Sequence, residues 1–129
     1  MVDGNYAYVT LRSNSFCAGN VNALDIINVA DIGAPFLEQS IAMQEPKGLG
    51  TSNGKLFVCD GAGLKIFEVL ETPQLGLLAT QEDIVCNDVI LNKDILIAIG
   101  DCGIFQYDFA TLPPSKLSEI LVSRTLDSN

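Results

Sequence analysis

The chain has no histidine among its 129 residues. That absence removes the Ser-His-Asp and Cys-His catalytic arrangements outright. It also argues against zinc, because the four cysteines, Cys17, Cys59, Cys86 and Cys102, include no Cys-x-x-Cys pair that could make up a ligand set. Basic residues are scarce: seven Lys and Arg stand against sixteen Asp and Glu, a formal charge of −9. Such a surface repels phosphate backbones and anionic bilayers, so nucleic acid is not an expected partner. No apolar run approaches the roughly eighteen residues of a membrane span, and Met1-Val2-Asp3-Gly4 has neither the basic start nor the apolar stretch of a signal peptide. Membrane insertion is therefore not expected. The Asp-x-Asp-x-Asp-Gly series of a calcium loop is missing, and so is any helix for a phosphate loop to open. No metal and no cofactor is expected.

What the chain does have is a repeat. Without gaps, Leu56 to Val69 lies over Leu96 to Phe109, and Leu24-Asp25-Ile26-Ile27-Asn28-Val29 matches Leu64 to Val69 one period of forty residues earlier. Leu37, Leu77 and Leu117 recur in step with it and read as a shared core position on the outer strand. Apolar residues make up 48% of the chain against 18% charged, enough apolar surface to offset the ordering entropy of folding. Period-two patterning between Gly, Asn, Asp and Pro clusters divides the chain into about eleven short strands. They run Tyr6 to Thr10, Leu24 to Val29 and Phe36 to Ala42; Gly48 to Thr51, Leu56 to Cys59, Leu64 to Val69 and Leu75 to Thr80; Asp88 to Leu91, Ile95 to Ile99, Ile104 to Phe109 and Leu117 to Val122. All five prolines fall in connections, as suits a residue that cannot donate to a ladder. Leu64 to Val69 is apolar on both faces, the pattern of a strand covered on both sides. A period near forty built of short strands predicts an all-β fold of β-propeller blades. The expectation is a single partial propeller domain of about three four-stranded antiparallel blades, with repeats at approximately 1–43, 44–83 and 84–123 and a tail at 124–129.

The residues also resemble a known family. Gly4-Asn5-Tyr6-Ala7-Tyr8-Val9, then Leu24-Asp25-Ile26-Ile27-Asn28-Val29, a Pro-containing turn and Phe36-Leu37 look like the LVIVD repeat of bacterial β-propeller proteins. Pro46-Lys47-Gly48-Leu49-Gly50-Thr51 followed by Asn53-Gly54-Lys55-Leu56-Phe57-Val58 looks like the start of the next repeat. The resemblance implies that the short strand before the Asn-Gly turn is innermost and that the next three step outward. Gly48 to Thr51 and Asp88 to Leu91 then become inner strands. Sliding Ala7-Tyr8-Val9 onto Leu56-Phe57-Val58 puts Met1 inside an inner strand and leaves the first blade with its second, third and fourth strands only. The family is often exported or associated with the cell surface, which the resemblance alone implies here. Fewer than three full blades do not close a ring, since propellers take about four to eight. The expectation is either a piece of a longer protein or arcs that associate, such as two copies making a six-bladed homo-oligomer, because an open arc leaves an apolar face at each end.

One irregularity singles out a loop. Fourteen residues separate Val9 from Leu24 where five separate Val58 from Leu64. The extra stretch, Thr10 to Ala23, carries Arg12, Asn14, Phe16, Asn20 and Asn22. Long polar loops on a rigid scaffold are common binding elements. On the same rim the connections bring Lys47, Asp60, Asp83, Asp88 and Asp101, which complete the candidate binding set. Asp83 and Asp88 flank an inner-strand start, where paired carboxylates can do acid/base work at a fitting separation; no catalytic residue is assigned. Asp60-Gly61-Ala62-Gly63 and Gly100-Asp101-Cys102-Gly103 read as tight hairpins using glycine for positive φ. Ser115-Lys116 reads as a solvated linker, and the cysteines as small, semi-buried residues whose pairing spacing does not reveal. The functional expectation is a non-enzymatic scaffold binding a protein, peptide or glycan through its rim. The rivals are an enzyme whose missing blades supply the remaining groups, and a structural subunit that completes another ring.

Overall fold

The computed structural model describes residues 1–13, 20–70 and 74–122. Asn14, Phe16, Cys17, the Glu71-Thr72-Pro73 turn and the tail at 124–129 lie outside the described residues. Among the described residues, twelve strands form three antiparallel four-stranded sheets. The first sheet holds β1 (Val2–Asp3), β2 (Tyr6–Leu11), β3 (Ala23–Asn28) and β4 (Phe36–Ala42). The second holds β5 (Leu49–Ser52), β6 (Lys55–Asp60), β7 (Gly63–Val69) and β8 (Leu75–Gln81). The third holds β9 (Asp88–Asn92), β10 (Ile95–Gly100), β11 (Gly103–Asp108) and β12 (Ser115–Leu121). Each sheet is ordered as its strands occur in the chain, the meander of a propeller blade. No helix occurs among the described residues, so none is long and apolar enough to cross a membrane.

The first blade has one strand more than expected. Val2 and Asp3 form β1 and pair with Ala7 and Tyr6 across a turn at Gly4, whose φ of 63° suits glycine. The matching turn of the second blade is Asn53-Gly54, with φ of 52° and 72°, the left-handed pair that a two-residue hairpin demands. At Gly63 and Gly103 the chain adopts φ of 123° and 152°, and a Cβ there would run into the carbonyl oxygens of Gln81 and Ile120 on the neighbouring outer strands. Those glycines are structural, as their place in tight hairpins suggested.

Two apolar clusters join the blades. Tyr8, Leu24 and Ile26 of the first blade pack on Leu56, Val58 and Phe67 of the second. On its opposite face the second blade packs Phe57, Cys59, Leu64 and Ile66 against Val89, Leu96, Ala98, Tyr107 and Phe109 of the third. The middle blade is thus covered on both sides, and β6 is buried from Leu56 to Asp60 without alternation. This is the arrangement that the two-faced apolar pattern of Leu64 to Val69 demanded.

The three leucines that mark the repeat are not core. Leu37, Leu77 and Leu117 are 56%, 57% and 55% exposed, because the outermost strand of each blade lies on the perimeter where no neighbouring blade covers it. Nor are the three equivalent. Leu37 pairs with Ile27 and Leu77 with Phe67, but in the third blade Tyr107 pairs with Lys116, and Leu117 is the unpaired residue of a bulge. The pairs Asn28–Phe36, Glu68–Gly76 and Asp108–Ser115 show why: the last turn is one residue shorter, so β12 is set back by one against the forty-residue period. Ser115-Lys116 accordingly begins β12 rather than forming a linker. The Lys116 ammonium lies 5.2 Å from the centre of the Phe105 ring and pairs with Glu119.

Two of the cysteines also depart from expectation. Cys59 and Cys86 form a disulfide, and both are buried. The bond ties the end of β6 to the connection that leads into β9, and so joins the second blade to the third. Cys102 is free and exposed.

Candidate functional site

The blade-to-blade connections converge on one rim, and side chains stitch them together in sequence. Thr10 Oγ1 donates to the Lys47 carbonyl at 2.8 Å. Lys47 Nζ donates to Asn87 Oδ1 at 3.0 Å, and Asn87 Nδ2 donates to Asp101 Oδ1 at 2.8 Å. Backbone bonds run alongside, from Lys47 N to the Cys59 carbonyl and from Gly48 N to the Asn87 carbonyl. The repeat dictates this chain of contacts, because Lys47 and Asn87 stand forty residues apart and occupy the same place on adjacent blades.

Asp60 departs from its expected place in a ligand-facing set. It is only 2% exposed, with its oxygens turned inward: Oδ1 accepts from Glu45 N at 2.7 Å, and Oδ2 accepts from Gln44 N at 3.2 Å while pairing with Lys65 at 3.1 Å. Burial opposes its ionisation. The amides of Glu45 and Gln44, the Lys65 ammonium and the Gly61 amide outweigh that and hold the carboxyl below its usual range. Asp60 therefore pins the connection from first to second blade. Asp60→Asn turns a donor towards groups that need an acceptor, and about 2 kcal/mol of stability is expected to go. Since the folded value lies below the unfolded one, the contribution is complete above about pH 4 and is lost as pH falls through the lowered folded value. Urea midpoints of the two proteins should differ at pH 7 and converge in strong acid; a gap that persists unchanged would exclude the carboxylate as its source.

Of the remaining candidates, Arg12, Asn22, Lys47, Asp83 and Asp101 line depressions on the rim, and Asn20 and Asp88 do not. Arg12 and Asn22 line one of about 640 Å³ with Thr10, Ser13, Gln44 and Glu45. Asn22 Oδ1 accepts from Ser13 N at 3.0 Å, which closes the base of the long loop. Asn20 is exposed. Arg12 and Lys47 meet across a smaller hollow of about 380 Å³ that also touches Asn87.

The other depression, of about 620 Å³, lies between the second and third blades. Lys47, Asp83, Asn87 and Asp101 form its polar edge; Ile84, Val85, Phe105 and Tyr107 give it an apolar floor and lip. Val85 is 68% exposed. Burial raises the Tyr107 hydroxyl; Lys116 works against this, and Asp83 and Glu119 add to it, so the phenol stays a hydrogen-bond donor at neutral pH. Asp88 is not part of this cavity. Its carboxylate accepts from Val89 N at 2.9 Å and packs against Gly48, where any Cβ would collide with it. Asp83 and Asp88 thus serve different surroundings and are not brought together in one cavity.

Asn87, Val85, Phe105 and Tyr107 were not singled out by sequence. Asn87 was within reach, as the periodic partner of Lys47. Phe105 and Tyr107 read as ordinary strand residues until the crossover at Ile84-Val85 is seen to leave their end of the blade partly uncovered.

No family model and no curated protein matches this sequence. Among solved structures, the chain is similar to the crystal structure of the N-terminal domain of Nup159, with a TM-score of 0.56 over 95% of this chain at 14% identity. The chain spans 30% of the length of that structure. At such identity the likeness carries the fold alone: the three sheets are blades of a β-propeller.

Proposed function

We propose that this chain is a non-enzymatic interaction module, of the LVIVD-repeat type, that holds an extended segment of a partner protein in the rim cavity between its second and third blades. The observation that carries this reading is the composition of that cavity: an apolar floor of Phe105 and Tyr107 beneath an edge on which Asp83 and Asp101 stand with Lys47 and Lys116. The floor suits a side chain with an apolar body, and the charge of −9 over the whole chain favours a segment that carries basic residues next to it. Exposed Val85 supplies apolar contact area at the lip. The Cys59–Cys86 disulfide supports an oxidising compartment, in keeping with an exported or surface location.

Selection of peptides from a random displayed library is the direct test. Selected peptides should be enriched in an aromatic or aliphatic residue adjacent to Lys or Arg. Val85→Glu and Asp101→Lys should each weaken binding about tenfold or more, equivalent to about 1.4 kcal/mol, without moving the melting temperature. Peptides whose binding survives both changes but is abolished by Arg12→Ala would move the site to the long loop and overturn the reading.

A further inference from the structure

One surface is apolar and, among the described residues, uncovered: the outer face of the third blade. Directly paired residues of an antiparallel sheet share a face. Ile97 pairs with Ile90 on one side and Gln106 on the other, and Ile99 pairs with Ile104, which pairs with Ile120. Ile90, Ile104 and Ile120 are 53%, 38% and 64% exposed, and Ile97 and Ile99 are half-buried. With half-buried Ile95, six isoleucines share this face, bordered by Asn92 and Asp108 at one end.

The repeat identifies the patch. On the first blade Tyr8, Leu24 and Ile26 are the residues that receive the second blade. Phe57, Leu64 and Ile66 take the same places on the second blade and receive the third. Ile97, Ile104 and Gln106 take those places on the third. The correspondence extends to the outer strand, where Ile41, partner of Leu24, packs into the first joint, and Ile120, partner of Ile104, lies open. The face is therefore built to receive another blade.

The chain also carries an unused face of the complementary kind. The second blade is received through Leu56, Val58 and Phe67, and the third through Leu96, Ala98 and Tyr107. The register puts Ala7, Val9 and Ile27 in those places on the first blade, since Ala7 pairs with Ile27 as Leu56 pairs with Phe67. An unbroken apolar row, Val2–Ala7–Ile27, crosses the three inner strands of that face, with Val2 64% exposed. Small Ala7 and Val9 sit where Ile97 and Ile99 would fall, large against small. The hairpin tips agree as well. Between the second and third blades Asn53 Nδ2 donates to Asp94 Oδ1 at 2.6 Å and Ser52 Oγ to the Lys93 carbonyl at 2.9 Å. In a further joint of the same kind Lys93 takes the place of Asn53, and Asn5 that of Asp94, with the carboxylate of Asp3 beside it.

We propose that the isoleucine face of the third blade is a docking surface for the first blade of a second copy of this chain, joined head to tail. The interface lies on the sheet faces and is independent of the rim cavity. Light scattering on the full 129-residue chain tests it. The expected result is a discrete mass that is a multiple of one chain. Ile97→Asp, with Ile120→Lys as a milder variant at an exposed site, should weaken association at least tenfold, and so should Ala7→Arg, with Val2→Lys as its milder counterpart. Circular dichroism confirms that each stays folded. Because a head-to-tail contact uses two different faces, mixing a variant broken at the third blade with one broken at the first should restore a dimer through the pair of intact faces. A folded wild type that stays monomeric at every soluble concentration overturns the proposal. So does Ala7→Arg at wild-type mass, which would mean that the isoleucine face pairs with itself or with a different protein.

Discussion

Replacing Phe57 by Ala is expected to remove about 3–5 kcal/mol of stability. The ring is completely buried between the second and third blades and meets Phe109 edge to face, with centroids 4.7 Å apart. Its surroundings are drawn from strands of two different blades, with Leu64, Leu96 and Ala98 in the same cluster. Neither blade can collapse into the gap without shifting its own ladder, so the cost should lie in the upper part of the range. Thermal unfolding followed by circular dichroism should show a Tm lower by roughly 10–20 °C. Leu77→Ala is the control. It removes a side chain of similar chemistry from a repeat-marking position that is 57% exposed, and it should change stability by no more than about 0.5 kcal/mol. Equal effects at the two sites would contradict the assignment of the core to the blade joints rather than to the repeat's own leucines.

Loss of the Cys59–Cys86 bond should cost about 3–4 kcal/mol, from the entropy that a cross-link spanning 27 residues removes from the unfolded chain. The double variant Cys59→Ala, Cys86→Ala isolates this effect, with a small packing loss added because both sulfurs are buried. Cys102→Ser should leave stability unchanged, since that thiol is free and exposed. The chemical check is alkylation of the unfolded, unreduced chain followed by peptide mass analysis. Cys59 and Cys86 should remain unlabelled until a reductant is added; labelling of either beforehand would remove the bond from the account.

The repeat made most of the architecture legible from sequence. Strand positions and the two-sided burial of the middle blade follow from hydrophobic period and turn chemistry, which are local properties, whereas the inner place of the segment before Asn53-Gly54 came only from the resemblance to other propeller repeats. What stayed hidden depends on distances between blades. Cys59 and Cys86 carry no spacing signal, because they meet only where β6 of one blade passes the crossover into the next. Asp60 reads as a rim charge, as Asp101 does, until the amides of Gln44 and Glu45 are seen to close on it. Leu37, Leu77 and Leu117 mislead for a different reason. Identity at a repeated site suggests burial, whereas the outer strand turns these side chains to solvent and a shortened turn moves Leu117 out of step. For the candidate site, the rim was legible as a place but not the cavity between the second and third blades, whose floor is made of residues that look like plain strand.

Cys59 and Asp60 are neighbours on one strand, and consecutive side chains of a strand point to opposite faces. One is covalently bound towards the third blade and the other grips the connection arriving from the first. A single dipeptide therefore works like the rivet of a folding fan, gathering all three leaves at the rim, while the hairpin tips at the far end add the exposed contacts of Ser52 and Asn53. Amide hydrogen exchange should record this as slow exchange at Cys59 and Asp60 and fast exchange at the Asn53-Gly54 and Lys93-Asp94 tips.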